Sequence, residues 1–127
     1  MQLHILLLDD EASVLFALKL LLQALGFKVT DFSDPSKALA CVADPSQSRE
    51  LDVIISDLRM PGMNGIEVLK QVQQLRPELP FLLMSAHAQQ EDIERAKALG
   101  AIGFLAKPFS PEELTGALRG LAKRSAA

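Results

Sequence analysis

The stretch Val53-Ile54-Ile55-Ser56-Asp57-Leu58-Arg59-Met60-Pro61-Gly62-Met63-Asn64-Gly65 places one carboxylate, Asp57, at the end of a β-branched apolar run and then breaks the chain with Pro61, Gly62 and Gly65. Such a run reads as a strand covered on both faces, and the acid stands where that strand leaves the core. Working towards the N-terminus, Leu3 to Leu8 is a second run of this kind, and it stops at Asp9-Asp10-Glu11. Two buried strands therefore deliver acids to their ends.

The segments between and after these strands are helical in pattern. From Ala12 to Leu25 the positions Val14, Leu18, Leu21, Leu22 and Leu25 fall on one stripe, followed by Gly26 as a C-cap glycine. Residues 27–32 alternate as a strand, and Asp34-Pro35 is an N-cap with a first-turn proline for a short helix. Asp44 to Glu50 is polar and turn-rich. Asn64 to Leu75 carries Ile66, Val68, Leu69 and Val72 at helical spacing, and residues 79–86 are apolar again. A helix over 89–99, a strand over 101–106 and a last helix from Ser110-Pro111 to about Ala122 complete the alternation. Five βα units imply a parallel sheet with helices on both faces, and ligands in such sheets bind outside the carboxyl ends of the strands.

The chain has 127 residues, is 49% hydrophobic and carries a formal net charge of −3. That is one domain with enough apolar material for a core of its own. Mixed charges without a basic stripe give no reason to expect direct nucleic-acid binding. The apolar runs are too short to span a bilayer, and no charged leader precedes the first strand, so a cytoplasmic setting without membrane attachment is expected. Cys41 is the single cysteine; it has no internal disulfide partner and fits the buried face of a helix.

The carboxyl ends of the strands would bring Asp9, Asp10, Asp57, Ser85 and Lys107 to one rim. Two unit charges about 4 Å apart repel by about 4 kcal/mol at an effective dielectric of about 20. Three acids there need a positive partner, and a hard divalent cation such as Mg²⁺ (or Mn²⁺) has the oxygen preference to supply it. Lys107 adds a mobile ammonium. With Ser85 as a hydroxyl, the set makes a phosphoryl-transfer site in which Asp57 is the nucleophile. Taken singly, each acid also reads as a helix cap or turn former, and Lys107-Pro108 as a turn; the joint placement carries the argument.

At this point the chain resembles the response-regulator receiver domains of two-component signalling. The likeness rests on "ILLLDDE", "IISDLRMPGMNG", "LLMSA" and "GFLAKPFSPEEL", which together span nearly the whole chain. It implies a doubly wound α/β three-layer sandwich, flavodoxin-like, with strand order 2-1-3-4-5, over residues 1–122, leaving 123–127 as a tail or linker stub. It further implies that Asp57 accepts a phosphoryl group from a sensor histidine kinase or phosphotransfer protein. Asp10, Asp57 and the Arg59 backbone carbonyl match the metal ligands, and Asp9 the acid acting through a metal-bound water. Ser85 matches the hydroxyl that turns to the phosphoryl group, Lys107 the lysine that pairs with it, and Phe104 the aromatic that changes rotamer, where many relatives carry tyrosine. The switch would be read on the face of the helix at 89–99, the strand at 101–106 and the last helix, by an output domain or partner that the sequence does not name.

Arg59 and His87 occupy positions that flank the acceptor in such domains and influence how water attacks the phosphoaspartate, so trimming Arg59 is expected to change the phosphoryl lifetime. Phe16 and Leu20 fall opposite the first helix's core stripe and mark a candidate contact with another domain or subunit. Ile102 and Gly103 replace acids that support one common dimer, leaving another homodimer or a monomer open. A switch, stand-alone or part of a larger chain, is favoured over a turnover enzyme: an aspartyl-phosphate phosphohydrolase would want a second acid where Arg59 stands. A flavodoxin-like cofactor domain would want a glycine-rich phosphate loop where Asp-Asp-Glu stands. A pseudo-receiver that only binds partners is disfavoured by the complete set of site residues.

Overall fold

The computed structural model describes residues 2–87, 89–107 and 109–126, the last seven as backbone alone. The Pro108 half of the Lys107-Pro108 turn expected above lies outside them. Strands β1 (His4–Leu8), β2 (Lys28–Phe32), β3 (Val53–Asp57), β4 (Phe81–Ser85) and β5 (Gly103–Ala106) form one sheet in the order β2-β1-β3-β4-β5. All four pairings are parallel. Helices α1 (Ala12–Ala24), α2 (Pro35–Ala43), α3 (Pro45–Ser48), α4 (Gly65–Leu75), α5 (Gln90–Ala98) and α6 (Pro111–Ala126) connect them or follow them. This is the α/β sandwich and the strand order expected.

Every residue of β1, β3 and β4 is buried, which explains why these strands are apolar without alternation. Their side chains divide between two cores. Leu6, Leu8, Ile54, Phe81 and Leu83 pack with α2, α4 and α5 on one face. Ile5, Leu7, Val53, Ile55, Leu82 and Met84 pack with Leu15, Leu22, Leu114 and Leu118 of α1 and α6 on the other. The predicted α4 stripe is buried throughout: Ile66, Val68, Leu69 and Val72 are all within the core.

Three local features differ from expectation. Residues 45–48 form the short helix α3, capped by Asp44, whose Oδ1 accepts from the Ser46 N–H at 3.0 Å. Asp44-Pro45-Ser46 repeats the start signal of Asp34-Pro35-Ser36, and it outweighs the polar, turn-like composition of the segment. In α1 the buried positions are Leu15 and Leu22, whereas Leu25 is 40% exposed. The rest of the stripe holds, with Leu22 buried and Leu18 and Leu21 partly buried against the same core, so the difference is confined to Leu15, which the stripe left out, and to Leu25 just past the helix; Lys19 reaches Asp31 of β2 at 3.1 Å. Finally, α6 continues to Ala126 rather than ending near Ala122. After Gly120 no glycine or proline interrupts it.

Phe16 and Leu20 are 63% and 50% exposed, as their opposite placement on α1 predicts. Cys41 is buried on α2, and that burial, with the charge of Asp44, pushes its thiol pKa up, which keeps it protonated and unreactive.

Candidate functional site

The parallel register sets the site. Leu8 of β1 pairs with Ser56 of β3, and Asp57 with Met84 of β4, so the carboxyl ends of the three central strands finish level. Asp9 follows β1, Asp57 ends β3, Ser85 ends β4 and Lys107 follows β5. Backbone bonds extend the ladders into these ends: Leu58 N–H donates to Met84 O at 2.9 Å and Lys107 N–H to Ser85 O at 2.8 Å. Below Asp57, the buried Ser56 hydroxyl donates to the Asp57 carbonyl oxygen at 3.0 Å.

The turn after β3 has its own constraint. Gly65 starts α4 directly against this strand end, with its N–H donating to Leu58 O at 2.7 Å. A Cβ at that position would meet the Asp57 carbonyl oxygen at 2.5 Å and the Leu58 Cα at 3.0 Å, so only glycine allows the helix to begin there. Gly62, at φ +81°, supplies the left-handed residue of the intervening turn. Asn64 then caps α4, its side chain accepting from the Glu67 N–H at 3.0 Å.

Asp9, Asp10 and Asp57 bring one carboxylate oxygen each to within 4.8 Å of one another. Asp9 is wholly buried and Asp57 nearly so. Lys107 Nζ bridges two of them, 2.8 Å from Asp9 Oδ2 and 3.3 Å from Asp57 Oδ1. The other Asp9 oxygen accepts the Glu11 N–H at 3.0 Å. Burial raises the pKa of Asp57 above the ordinary carboxylate value; Lys107 opposes that rise, and the Asp9 and Asp10 charges add to it. Burial alone disfavours the Lys107 ammonium, but its bond to Asp9 and the charge of Asp57 outweigh this and hold its pKa above the usual lysine value. One ammonium thus faces three acids and leaves negative charge uncompensated. That surplus, and the convergence of three hard oxygen donors, fit a divalent cation.

Ser85 is buried, and its Oγ accepts the His87 N–H at 3.2 Å. Phe104 is partly buried against the α2/α4/α5 core and lines a groove with Ser85, Ala86, His87, Ile93 and Lys97. A second, mainly apolar groove opens beside Lys107, between Val14, Ala17 and Leu18 of α1 and Phe109. Arg59 and His87 come together, but through the His87 backbone: Arg59 Nη2 lies 3.5 Å from His87 O and 3.4 Å from Asp92 Oδ2. Asp92 reads locally as the N3 residue of the α5 capping box with Gln89, and its spacing from Arg59 in the chain gives no signal of the pair.

Comparison with known proteins places the chain in a family. A family model described as response regulator receiver domain matches residues 5–119. The chain is similar to the transcriptional regulatory protein FixJ of Bradyrhizobium diazoefficiens, at 38% identity over 88% of this chain and 53% of that protein. It is also similar to the DNA-binding transcriptional regulator NtrC of Salmonella typhimurium, at 38% identity over 83% of this chain and 22% of that protein. The chain therefore spans between about a fifth and a half of these curated relatives. Among solved structures, the chemotaxis protein CheY4 of Vibrio cholerae superposes with a TM-score of 0.83 at 34% identity, covering 95% of this chain and 99% of that one. A receiver-domain protein of Clostridium thermocellum gives a TM-score of 0.90 at 26% identity, covering 98% and 97%. No helix among the described residues is long and apolar enough to cross a membrane.

Proposed function

The chain belongs to the response regulator receiver family, and from that premise we propose that Asp57 is its phosphoacceptor, taking a phosphoryl group from a phosphohistidine on a sensor kinase or phosphotransfer protein. The observation that carries this reading is the Asp9, Asp10, Asp57 and Lys107 constellation at the carboxyl ends of the central strands. Asp10, Asp57 and the Arg59 backbone carbonyl would hold Mg²⁺ (or Mn²⁺), with Asp9 acting through a water. The ion would supply charge neutralisation for the transferring group.

The remaining chemistry falls to the chain's own residues. An Asp57 carboxylate oxygen attacks phosphorus, the new O–P bond forming as the N–P bond to the donor imidazole breaks; that imidazole nitrogen keeps the electron pair and takes a proton. Lys107, already 3.3 Å from Asp57, pairs with the phosphoryl oxygens. Ser85 donates its hydroxyl hydrogen to the same group. The incoming group adds nearly a full further negative charge and more acceptor oxygens to a crowded site, so it biases a two-state arrangement of the β4–α5 connection. Phe104, beside Ser85 and Ala86 in one groove, follows that shift by changing its packing, and the α5-β5-α6 face presents the change to an output partner. The apolar groove between α1 and Phe109 offers the donor protein a place to rest beside Lys107. Residues 1–122 are the phosphoacceptor unit of a switch rather than of a turnover enzyme, working with its kinase in the cytoplasm.

The test is incubation with a small-molecule phosphodonor and Mg²⁺, read by intact mass. Wild type gains one phosphoryl increment and Asp57→Ala gains none. Equal labelling of the two proteins, or no labelling of either, contradicts the proposal.

A further inference from the structure

Arg59 stands two residues beyond the acceptor, yet its side chain turns away to the next connection of the fold. It is 60% exposed, with Nη2 at 3.4 Å from Asp92 Oδ2. The same nitrogen lies 3.5 Å from the His87 carbonyl oxygen. Asp92 Oδ2 also accepts the Gln89 N–H at 3.3 Å, which closes the first turn of α5. His87 in turn donates its own N–H to Ser85 Oγ at 3.2 Å. One guanidinium therefore ties the segment after β3 to the segment after β4, at the two residues that fix the Ser85 oxygen and the start of α5.

We infer that Arg59 and Asp92 form a strap that holds the β4–α5 connection in this arrangement and opposes its movement towards a phosphoryl group on Asp57. The inference rests on the phosphoacceptor reading given above and adds a regulatory element to that site. Arg59 is then a positioning residue, acting on Ser85 through the His87 backbone. The chemistry fits a strap that can open. An exposed, singly bonded ion pair is weak, and screening by salt weakens it further. It can set the balance between two arrangements without locking either. Linkage fixes the sign: an interaction made only in one arrangement lowers the affinity of any ligand that requires the other.

Arg59→Ala removes the cation. Asp92→Asn keeps an oxygen that can cap Gln89 and removes only the ion pair. In the presence of Mg²⁺, each variant is expected to bind beryllofluoride, an aspartyl-phosphate mimic, about two- to fivefold more tightly than wild type, the range an exposed pair supports. The double variant should gain no more than either single one. Without ligand, the His87 and Gln89 amides should exchange faster in both variants. Wild-type binding with unchanged affinity in the variants overturns the strap alone. Weaker binding by Arg59→Ala with Asp92→Asn unaffected also overturns it, and places the guanidinium on the phosphoryl group instead. Absence of binding to wild type overturns the phosphoacceptor reading, and the strap with it.

Discussion

The Lys107 ammonium stands 2.8 Å from Asp9 Oδ2, closer than to Asp57 Oδ1 at 3.3 Å. Its nearest partner is thus the one acid among the described residues with no solvent exposure at all. Lys107 therefore has a structural share in the site beside the chemical one proposed for it: it compensates a carboxylate that the fold covers completely.

Lys107→Ala should accordingly destabilise the fold. It leaves Asp9 buried with the Glu11 N–H as its remaining bond, and loss of one partner of a buried pair costs about 3 kcal/mol or more. Urea unfolding without divalent cation measures this, and Mg²⁺ should restore part of the loss by supplying the missing positive charge. A change below about 0.5 kcal/mol, the scale of an ordinary surface substitution, would show that the pair does not matter.

Asp57→Asn should have the opposite effect. Because burial raises the Asp57 pKa in the folded chain, ionising it works against folding. A raised carboxylate pKa contributes stability below its ordinary value of 3.8, and that contribution is lost as pH rises through the raised value. At neutral pH without metal, the asparagine variant is expected to melt above wild type, and the gap should close as the solution is acidified. Thermal melts across pH in a chelator check both the sign and the trend. A variant that melts below wild type at neutral pH would mean that Lys107 dominates the carboxylate's environment.

His4 lies at the opposite end of the sheet. Its Nε2 is 2.6 Å from the Thr30 hydroxyl and its buried Nδ1 has no hydrogen-bond partner among the described residues. Burial, helped by Lys28, lowers its pKa below 6.5, while Glu50 and Asp52 act the other way. A lowered histidine pKa means that the neutral form is the one the fold accommodates. Stability is therefore full above about 6.5 and falls as pH drops through the lowered value. His4→Val should flatten that acid-side decline in a series of urea titrations. A decline of unchanged steepness would assign it to other groups.

The sequence reveals the sheet and the acids because both follow from burial. Strands covered on two faces are continuously apolar, and the charges that end β1 and β3 can only stand at its rim. The α4 stripe is equally plain, since its polar positions interrupt it at helical spacing. The edges of the α1 stripe are less plain, because leucines lie on both sides of it and tertiary packing settles which are covered: Leu15 is and Leu25 is not, although Phe16 and Leu20 are exposed as placed. The helix α3 is signalled by Asp44-Pro45, the same start signal as Asp34-Pro35, but it is only four residues long. The Arg59 contact with Asp92 depends on how two connections meet in space, and no local pattern encodes that.

Chemical trapping tests the central claim most directly. Protein labelled with a small phosphodonor and Mg²⁺ is reduced with borohydride, which converts an aspartyl phosphate to homoserine, and is then mapped by peptide mass. Asp57 as acceptor predicts homoserine at position 57 and nowhere else, with the signal absent when Mg²⁺ is replaced by a chelator. Label recovered on another side chain, or none at position 57 while the protein is phosphorylated, would contradict it.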